Sequence, residues 1–263
     1  MAILDRISQP ADLRGLTADE LSSLSSEIRD FIVDAVSETG GHLGSNLGAV
    51  ELSIALHRVF ESPTDPILWD TGHQAYVHKI LTGRKAGFAG LRQQDGISGY
   101  PNREESRHDF IENSHASTVL SYAHGLAIAR DAGVAPHRHI VAVIGDGGIQ
   151  MTIQELGTIM QNNINVKILI LNNRFLGMVR QWQDLFNEKR YSFVDIASPD
   201  YVAVAKGYKI EGNSIEERKD LINALETMLN HDGPYLLEVF VGKENNVFPM
   251  VPQGCGVSEI RLK

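Results

Sequence analysis

Two polar clusters in the middle of the chain carry residue types that bind divalent cations. The first is Gly145-Asp146-Gly147-Gly148 and the second is Asn172-Asn173. Asp146 offers a carboxylate, Asn173 offers a side-chain carbonyl, and Phe175, in the turn that follows, offers a main-chain carbonyl. Oxygen ligands of this kind suit Mg²⁺ or Ca²⁺, with the remaining positions left for water and phosphate oxygens. The sequence therefore predicts a cation site built from both clusters.

The glycines of the first cluster indicate a phosphate-binding turn beside that cation. Gly145, Gly147 and Gly148 permit a tight turn and a close approach of the backbone to a ligand. The N–H groups of the last two open the next helix, where an anion is favoured. The simpler alternative is an ordinary strand-end turn in which Asp146 caps the helix. A dinucleotide-binding fingerprint does not fit, because Gln150 replaces its last glycine.

A strand–helix–strand unit is predicted to position these clusters. Residues 140–144 and 166–171 are short apolar runs, typical of buried parallel strands. The segment between them has the apolar spacing of one helix face, at Ile149, Ile153, Leu156 and Met160. The carboxyl ends of parallel strands meet at one edge of a sheet, where open α/β sheets bind ligands. We therefore expect both clusters at that edge.

The rest of the chain alternates between helical and strand patterns, which indicates one α/β domain over residues 1–263 with a mostly parallel sheet. Further helices are predicted at 17–38, 49–60, 74–81, 114–132 and 200–205, and one more begins at the cap-like residues 214–217 and ends at 230. Further strands are predicted at 67–70, 208–210 and 234–241. Residues 85–113 are predicted to be a long loop with short helical turns. The prolines of the tail NNVFPMVPQGCG forbid helix and central strand.

Composition and charge exclude several classes of function. The net charge is −9 with a pI near 5.6, and no basic run stands out, which argues against nucleic-acid binding. The single cysteine, Cys255, forbids an internal disulfide and fits a reducing compartment. No signal peptide and no membrane-spanning stretch are recognised. A cytoplasmic protein is therefore expected.

Residues 1 to about 147 closely resemble the amino-terminal region of 1-deoxy-D-xylulose-5-phosphate synthases. The motifs that match are TGGHLGSNLGAVELSIALHRVF, ILWDTGHQAYVHKILTGR, SGYPNREES and ENSHAST. The paired Gly-Asp-Gly and Asn-Asn motifs likewise resemble the signature of thiamine diphosphate enzymes. This resemblance implies a doubly wound thiamine diphosphate-binding fold, with thiamine diphosphate and Mg²⁺ as cofactors. It implies that His73 contacts the cofactor, that Ser114, His115 and Ala116 lie against it, and that His42 takes part in proton transfer with the substrate.

From about Gly145 onward the chain instead resembles the carboxyl-terminal region of acetolactate synthase catalytic subunits. The matching segments are QMTIQELGTIMQNNINVKILILNNRFLGMVRQWQDLFNEKRYS and LLEVFVGKENNVFPMVPQG. Residues 1–147 and 148–263 would then be two halves of one cofactor-binding domain, joined at the motif that both families share. Met178 is assigned to the cofactor. The apolar stripe that it begins, with Trp182 and Phe186, fits a core or subunit contact at least as well as a substrate contact.

In both families a second domain supplies a glutamate that hydrogen-bonds the aminopyrimidine ring, and no such segment is recognised here. The first hypothesis is therefore an enzyme component that acts on a 2-keto acid such as pyruvate, as a homodimer or paired with a pyrimidine-domain subunit. The alternatives are an engineered or recombinant cofactor-binding domain without turnover, and a slow self-contained carboligase. A metal hydrolase would depend on His73 and His78 alone, without an HExxH helix.

Overall fold

The centre of the fold is a parallel sheet, seen in a computed structural model that describes residues 2–112, 114–243, 259 and 261. Within these residues the strands are β1 (Ile67–Trp69), β2 (Val141–Gly145), β3 (Lys167–Asn172), β4 (Glu211–Ile215) and β5 (Tyr235–Phe240). They lie in the order β1-β2-β3-β5-β4, and every neighbouring pair is parallel. The first three strands lie side by side in chain order. Strand β4 then lies at the far edge of the sheet, and β5 occupies the position between β3 and β4. The predicted doubly wound parallel sheet is confirmed.

Helices cover both faces of this sheet, because parallel strands need crossover connections. The helices are α1 (Ala18–Thr39), α2 (Leu43–Gly48), α3 (Val50–Val59), α4 (Tyr76–Lys79), α5 (Val119–Asp131), α6 (Asp146–Met151), α7 (Glu155–Gln161), α8 (Gly177–Phe186), α9 (Tyr201–Gly207) and α10 (Leu221–Asn230). Alternate strand residues point to opposite faces. Ala142 and Ile168 therefore pack with α5, α7 and α9, whereas Val141 and Leu169 pack with α3 and α10.

A third apolar cluster joins the amino-terminal helices to α4. Helix α1 begins at the predicted capping box, in which Thr17 Oγ1 accepts from the N–H of Glu20 at 3.3 Å and Glu20 Oε2 accepts from the N–H of Thr17 at 2.9 Å. The chain leaves α1 through Gly40 and Gly41, both with positive φ. A Cβ at Gly41 would meet Tyr76 Oη at 2.7 Å, so the turn that leads to α2 requires glycine there.

Several predicted helix boundaries are corrected by the structure. The helix predicted at 149–160 is two helices, α6 and α7, separated by residues 152–154. The helix predicted at 49–60 is preceded by α2, so residues 43–48 are helical as well. The helix predicted from Ser114 begins only at Val119, and the residues before it are irregular. Residues 85–113 have a 3₁₀ helix at Lys85–Gly90, as expected of a long loop with short helical turns.

The strand predicted at 208–210 is wrong. Helix α9 ends at Gly207, and Lys209 adopts a positive φ of 56° that closes the helix, so Ile210 N–H bonds back to the carbonyl of Ala205. The strand β4 follows directly. It lies at the sheet edge with mostly polar residues, so it lacks the apolar pattern expected of a buried strand. The cap-like Ser214 belongs to this strand, and α10 starts later, at Leu221.

Within the part of the chain that the structure describes, no helix is long and apolar enough to cross a membrane. The tail NNVFPMVPQGCG, residues 245–256, lies outside the described residues. Its predicted lack of helix and strand stays a prediction.

Candidate functional site

The Asp146 carboxylate lies at the end of β2, where the sequence placed the cation site. The N-cap position of α6 is Gly145, and Asp146 is the first residue of the helix. The alternative of Asp146 as an ordinary helix cap is therefore wrong. The side chain is only 3% exposed, and Ser198 Oγ donates to its Oδ2 at 2.7 Å. Burial raises the pKa of Asp146, although Ser198 and the backbone of Arg174 and Asn173 favour the ionised form.

The turn after β3 lies beside the same carboxylate. The backbone N–H groups of Asn173 and Arg174 face the Asp146 carboxylate, so the two strand ends are brought together as expected. Asn173 Oδ1 accepts from the N–H of Phe175 at 2.9 Å, and an amide oxygen keeps a second lone pair for another partner. Among the hydrogen bonds of the described residues, none reaches the main-chain carbonyl of Phe175. The carboxylate, the amide oxygen and the main-chain oxygen thus belong to residues that follow the ends of two neighbouring strands.

Two of the three site glycines are closely packed against neighbouring side chains. A Cβ at Gly147 would meet Leu176 Cδ2 at 3.0 Å, and a Cβ at Gly148 would meet Asp70 Oδ2 at 3.0 Å. Gly145 has open space around the position of its Cβ. The first turn of α6 therefore lies between the side chains of Leu176 and Asp70. Any side chain added at Gly147 or Gly148 would displace one of these neighbours.

Asp70, at the end of β1, is a site residue that the sequence analysis missed. Its carboxylate accepts from the N–H groups of Ser117 at 2.7 Å, Thr118 at 3.1 Å and Val119 at 3.3 Å, and so caps α5. Burial raises the pKa of Asp70 against these bonds. Ser117 Oγ in turn donates to the carbonyl of Gly148. An acid directly after a buried strand was the available signal, but its partners lie 47–49 residues away in the sequence.

His42 and His73 form a second cluster, beyond the end of β1. Their ring centroids are 5.6 Å apart, and Tyr100 packs on His42 at 5.4 Å. Asn46, fully buried in α2, holds the two turns together, because its Nδ2 donates to the carbonyls of both histidines and its Oδ1 accepts from the N–H of Tyr76 at 2.7 Å. The two predicted catalytic histidines are therefore neighbours.

Both histidines favour the neutral form, because burial penalises the charged ring. Burial, with the nearby His73 and Arg92 charges, lowers the pKa of His42 to about 4, and burial lowers the pKa of His73. Among the described residues, three buried polar atoms near these turns have no hydrogen-bond partner: Ser45 Oγ, His73 Nδ1 and Gln74 Oε1. Buried polar groups are normally paired, so these three atoms agree with a polar ligand beside the two turns.

Ser114, His115 and Ala116 are exposed and precede α5. Ser114 lines a cavity of about 270 Å³ together with Tyr100 and Glu112. Because Tyr100 also packs on His42, this cavity lies next to the histidine cluster. The carbonyl of His115 accepts from Thr118 Oγ1 at 3.1 Å. Met178 lies in the first turn of α8 with 45% of its surface exposed. These four residues line accessible surface.

A buried polar network fastens the loop before α5 to the helix that follows His73. Asp109 accepts from His78 Nε2 at 2.9 Å and from both terminal nitrogens of Arg84. Because a carboxylate only accepts, His78 Nε2 carries the proton, and in the neutral ring that burial favours, Nδ1 accepts from His57 Nε2 at 2.9 Å. Burial raises the pKa of Asp109, but His78 and Arg84 outweigh it and hold the value well below the ordinary one. His78 is thus fully engaged away from His73, which removes the basis of the hydrolase alternative.

A second ion pair in this network places Tyr100. Lys79, fully buried, donates to Glu105, whose other oxygen accepts from the N–H of Ser98 at 2.6 Å. Ser98 Oγ accepts from the N–H of Tyr100 at 3.1 Å. The ring that covers His42 is therefore held through a chain of hydrogen bonds that starts on α4.

Comparison with known proteins identifies the family of this chain. A profile of the 1-deoxy-D-xylulose-5-phosphate synthase family matches residues 4–181, which is more than half of the chain. The chain belongs to the 1-deoxy-D-xylulose-5-phosphate synthase family. The match continues past residue 147, where the sequence analysis placed the change of resemblance, and includes both strand-end clusters.

Individual members of this family are similar over the same region. The 1-deoxy-D-xylulose-5-phosphate synthase of Corynebacterium jeikeium is 56% identical over 175 residues, which is 66% of this chain and 28% of the relative. That of Mycobacteroides abscessus is 63% identical over 147 residues, 56% of this chain and 23% of the relative. The Streptomyces coelicolor synthase 1 is 58% identical over 175 residues, 66% of this chain and 26% of the relative. The chain therefore spans about a quarter of the length of these 1-deoxy-D-xylulose-5-phosphate synthases.

Proposed function

We propose that this chain is the thiamine diphosphate- and Mg²⁺-binding component of a transketolase-class carboligase that transfers a unit from a 2-keto acid such as pyruvate. The observation that carries the proposal is the buried Asp146 carboxylate beside the Asn173 turn. Among the ion pairs of the described residues, none involves Asp146. A buried carboxylate without a cation is costly. A divalent cation coordinated by Asp146, Asn173 Oδ1 and the carbonyl of Phe175 would remove that cost.

The chain's own residues would bind and orient the cofactor. The N–H groups of Gly147 and Gly148 would receive the diphosphate, with Gly145 leaving room for it. His73, with its unpartnered Nδ1, would contact the cofactor, and Ser114, His115, Ala116 and Met178 would line its surroundings. Bound thiamine diphosphate supplies a carbon nucleophile for cleavage next to a keto group.

Neutral His42 would accept or hold a proton on the substrate. Its pKa of about 4 keeps it unprotonated at neutral pH, so its ring is free to accept. Tyr76 Oη lies 3.5 Å from His42 Nδ1 and also accepts from the His42 N–H at 3.2 Å. Tyr76 therefore fixes the position of His42, which leaves the other ring nitrogen for the substrate.

We also propose a relationship for the second half of the chain. Residues 148–263 would be an acetolactate synthase-like second half of one domain covering residues 1–263, supported by the segments from Gln150 to Ser192 and from Leu236 to Gly254. A natural split subunit and a recombinant cofactor-binding domain without turnover both agree with that arrangement. The cytoplasmic location remains a prediction.

Calorimetric titration with thiamine diphosphate tests the proposal. The chain is expected to bind the cofactor when Mg²⁺ is present and to lose that binding when EDTA removes the metal. No heat of binding with Mg²⁺ would refute the cofactor assignment. Equal binding with EDTA would refute the cation site at Asp146 while leaving the histidine cluster as a cofactor contact.

We further infer that the chain forms a homodimer, or pairs with a pyrimidine-domain subunit, through the apolar face of α8. Trp182 and Phe186 are 38% and 40% exposed and their rings lie 4.9 Å apart, so the chain's own sheet does not cover them. Exposed apolar surface of this kind marks an interface. Light scattering at micromolar concentration should give the mass of a dimer for the wild type and of a monomer for Trp182→Lys. Ile128→Lys, at a 48% exposed position on α5, is the matched control and should stay dimeric. A monomeric wild type in the absence of a partner would leave only the pairing with another subunit.

A further inference from the structure

Glu238 is a buried acid in the interior of the sheet. It lies in β5, between Ile170 of β3 and Ser214 of β4, and is 3% exposed. Among the ion pairs found in residues 2–112 and 114–243, none includes Glu238. Strand interiors of parallel sheets are normally apolar on both faces. A carboxylate at this position therefore needs a specific reason.

The partner of Glu238 is the first asparagine of the Asn172-Asn173 pair. Asn172 Nδ2 donates to Glu238 Oε1 at 2.6 Å, and Asn172 is 1% exposed. Because Glu238 Oε1 accepts this bond, the amide nitrogen of Asn172 is held toward Glu238. The amide oxygen must then point the other way. There it accepts from the N–H of Arg174 at 2.9 Å.

That second bond acts on the turn that would hold the cation. Arg174 has a positive φ of 62°, an unfavourable backbone conformation for a residue with a side chain. The bond from its N–H to Asn172 holds it there, and the next N–H, of Phe175, bonds to Asn173 Oδ1 at 2.9 Å. The shape of the 173–175 turn thus depends on Asn172, and the orientation of Asn172 depends on Glu238.

We propose that Glu238 is a positioning residue for the cation site, acting through Asn172 to hold the 173–175 turn in its cation-binding shape. This inference rests on the proposed function, because the cation is the one that Asp146, Asn173 and Phe175 would coordinate. Residues that orient ligands in this way change metal affinity typically by about 10–100-fold when they are removed. Glu238 would act through Asn172 and would not itself be a ligand of the cation.

The first measurement is the Mg²⁺ affinity, by calorimetry in the presence of thiamine diphosphate. Glu238→Leu removes the acceptor at similar volume and should weaken Mg²⁺ binding by roughly 10-fold or more. Glu238→Gln keeps a carbonyl that accepts from Asn172 and should restore most of the affinity. Ser214→Ala, at the position paired with Glu238 in β4, is the matched control and should bind as the wild type does. Wild-type affinity in Glu238→Leu would overturn the proposal.

A double-mutant cycle separates this role from a merely structural one. If Glu238 acts through Asn172, then Asn172→Ala combined with Glu238→Leu should bind Mg²⁺ no more weakly than Asn172→Ala alone. If the two substitutions instead weaken Mg²⁺ affinity independently, so that their fold-losses multiply in the double variant, the proposal is overturned. That result is expected when Glu238→Leu only disturbs packing.

A second measurement does not need the metal. The Arg174 amide should exchange its hydrogen at least about 10-fold faster in Glu238→Leu than in the wild type, because a hydrogen bond of roughly 1–1.5 kcal/mol protects it. It should be unchanged in Ser214→Ala. If the wild type binds no Mg²⁺, the proposed function fails, and the exchange rate still decides the role of Glu238. An unchanged rate in Glu238→Leu would overturn that role even where the wild type binds the metal.

Discussion

Asp146→Asn is expected to abolish Mg²⁺-dependent binding of thiamine diphosphate while leaving the fold intact. The substitution is nearly isosteric and removes the negative charge that would face the cation. The fold should survive, because the Asp146 main-chain carbonyl still accepts from Tyr201 Oη at 2.7 Å and the new amide oxygen still accepts from Ser198. Asn173→Ala should have the same effect through loss of the second oxygen ligand. Calorimetric titration and thermal unfolding measure the two quantities.

Asp200→Asn is the matched control for the Asp146 prediction. Asp200 caps α9, where its Oδ1 accepts from the N–H of Ala203 at 2.8 Å, and it lies close in sequence to Ser198. Asparagine caps helices about as well as aspartate, so this variant should keep both stability and affinity. Undiminished cofactor affinity in Asp146→Asn or in Asn173→Ala would contradict the site assignment.

The second expected result is turnover near background by the 263-residue chain alone. The chain should convert pyruvate, with or without glyceraldehyde 3-phosphate, roughly 10²–10⁴-fold more slowly than when a pyrimidine-domain chain with the activating glutamate is added. The resemblance assigns that glutamate to a second domain, and none of the residues here has been assigned its role. Without that domain the reacting centre also stays exposed to water, which weakens electrostatic contributions. His42 and His73 cannot replace a contact on the far ring of the cofactor.

Product analysis makes this second experiment informative about substrate as well. Formation of 1-deoxyxylulose 5-phosphate in the supplemented assay would indicate the reaction of the family that residues 1–147 resemble. Formation of acetolactate would indicate the reaction of the family that residues 148–263 resemble. Asp146→Asn in the same assay is the control for a cofactor-dependent rate. Robust turnover by the purified chain alone, lost on Asp146→Asn, would show that the active site is complete without a partner.

The placement of Asp146 and Asn173 at neighbouring strand ends could be predicted from sequence because the evidence for it is local. Each follows a short apolar run that is unambiguous as a buried strand, and the carboxyl ends of neighbouring parallel strands lie at the same edge. His42 and His73 were reached differently, through a family resemblance, and the structure shows them to be neighbours through Asn46. Their roles toward cofactor and substrate remain predictions.

Other features could not be predicted because their causes are non-local. Asp70 caps a helix that begins 49 residues later, and Glu238 bonds to Asn172 across 66 residues. The strand β4 was misplaced because an edge strand keeps one side in water, so its polar sequence resembles a loop. In each case the sequence pattern gives the type of residue, but it does not give the distant neighbour that explains why this residue lies there.

The buried network around Asp109 also sets a lower limit on the fragments of this chain that could fold. Lys79 and Arg84 are buried in the helical cluster formed by the first hundred residues, but their counter-charges are supplied by Glu105 and Asp109. Removing one partner of a buried ion pair typically costs about 3–5 kcal/mol, a large share of the stability of a domain. A fragment that stops before residue 105 would bury both cations unmatched, and one that stops before residue 109 would lack the Asp109 partner of Arg84. During synthesis, therefore, the amino-terminal helices gain their full stability only after the chain has been made well beyond the last residue of their own apolar core.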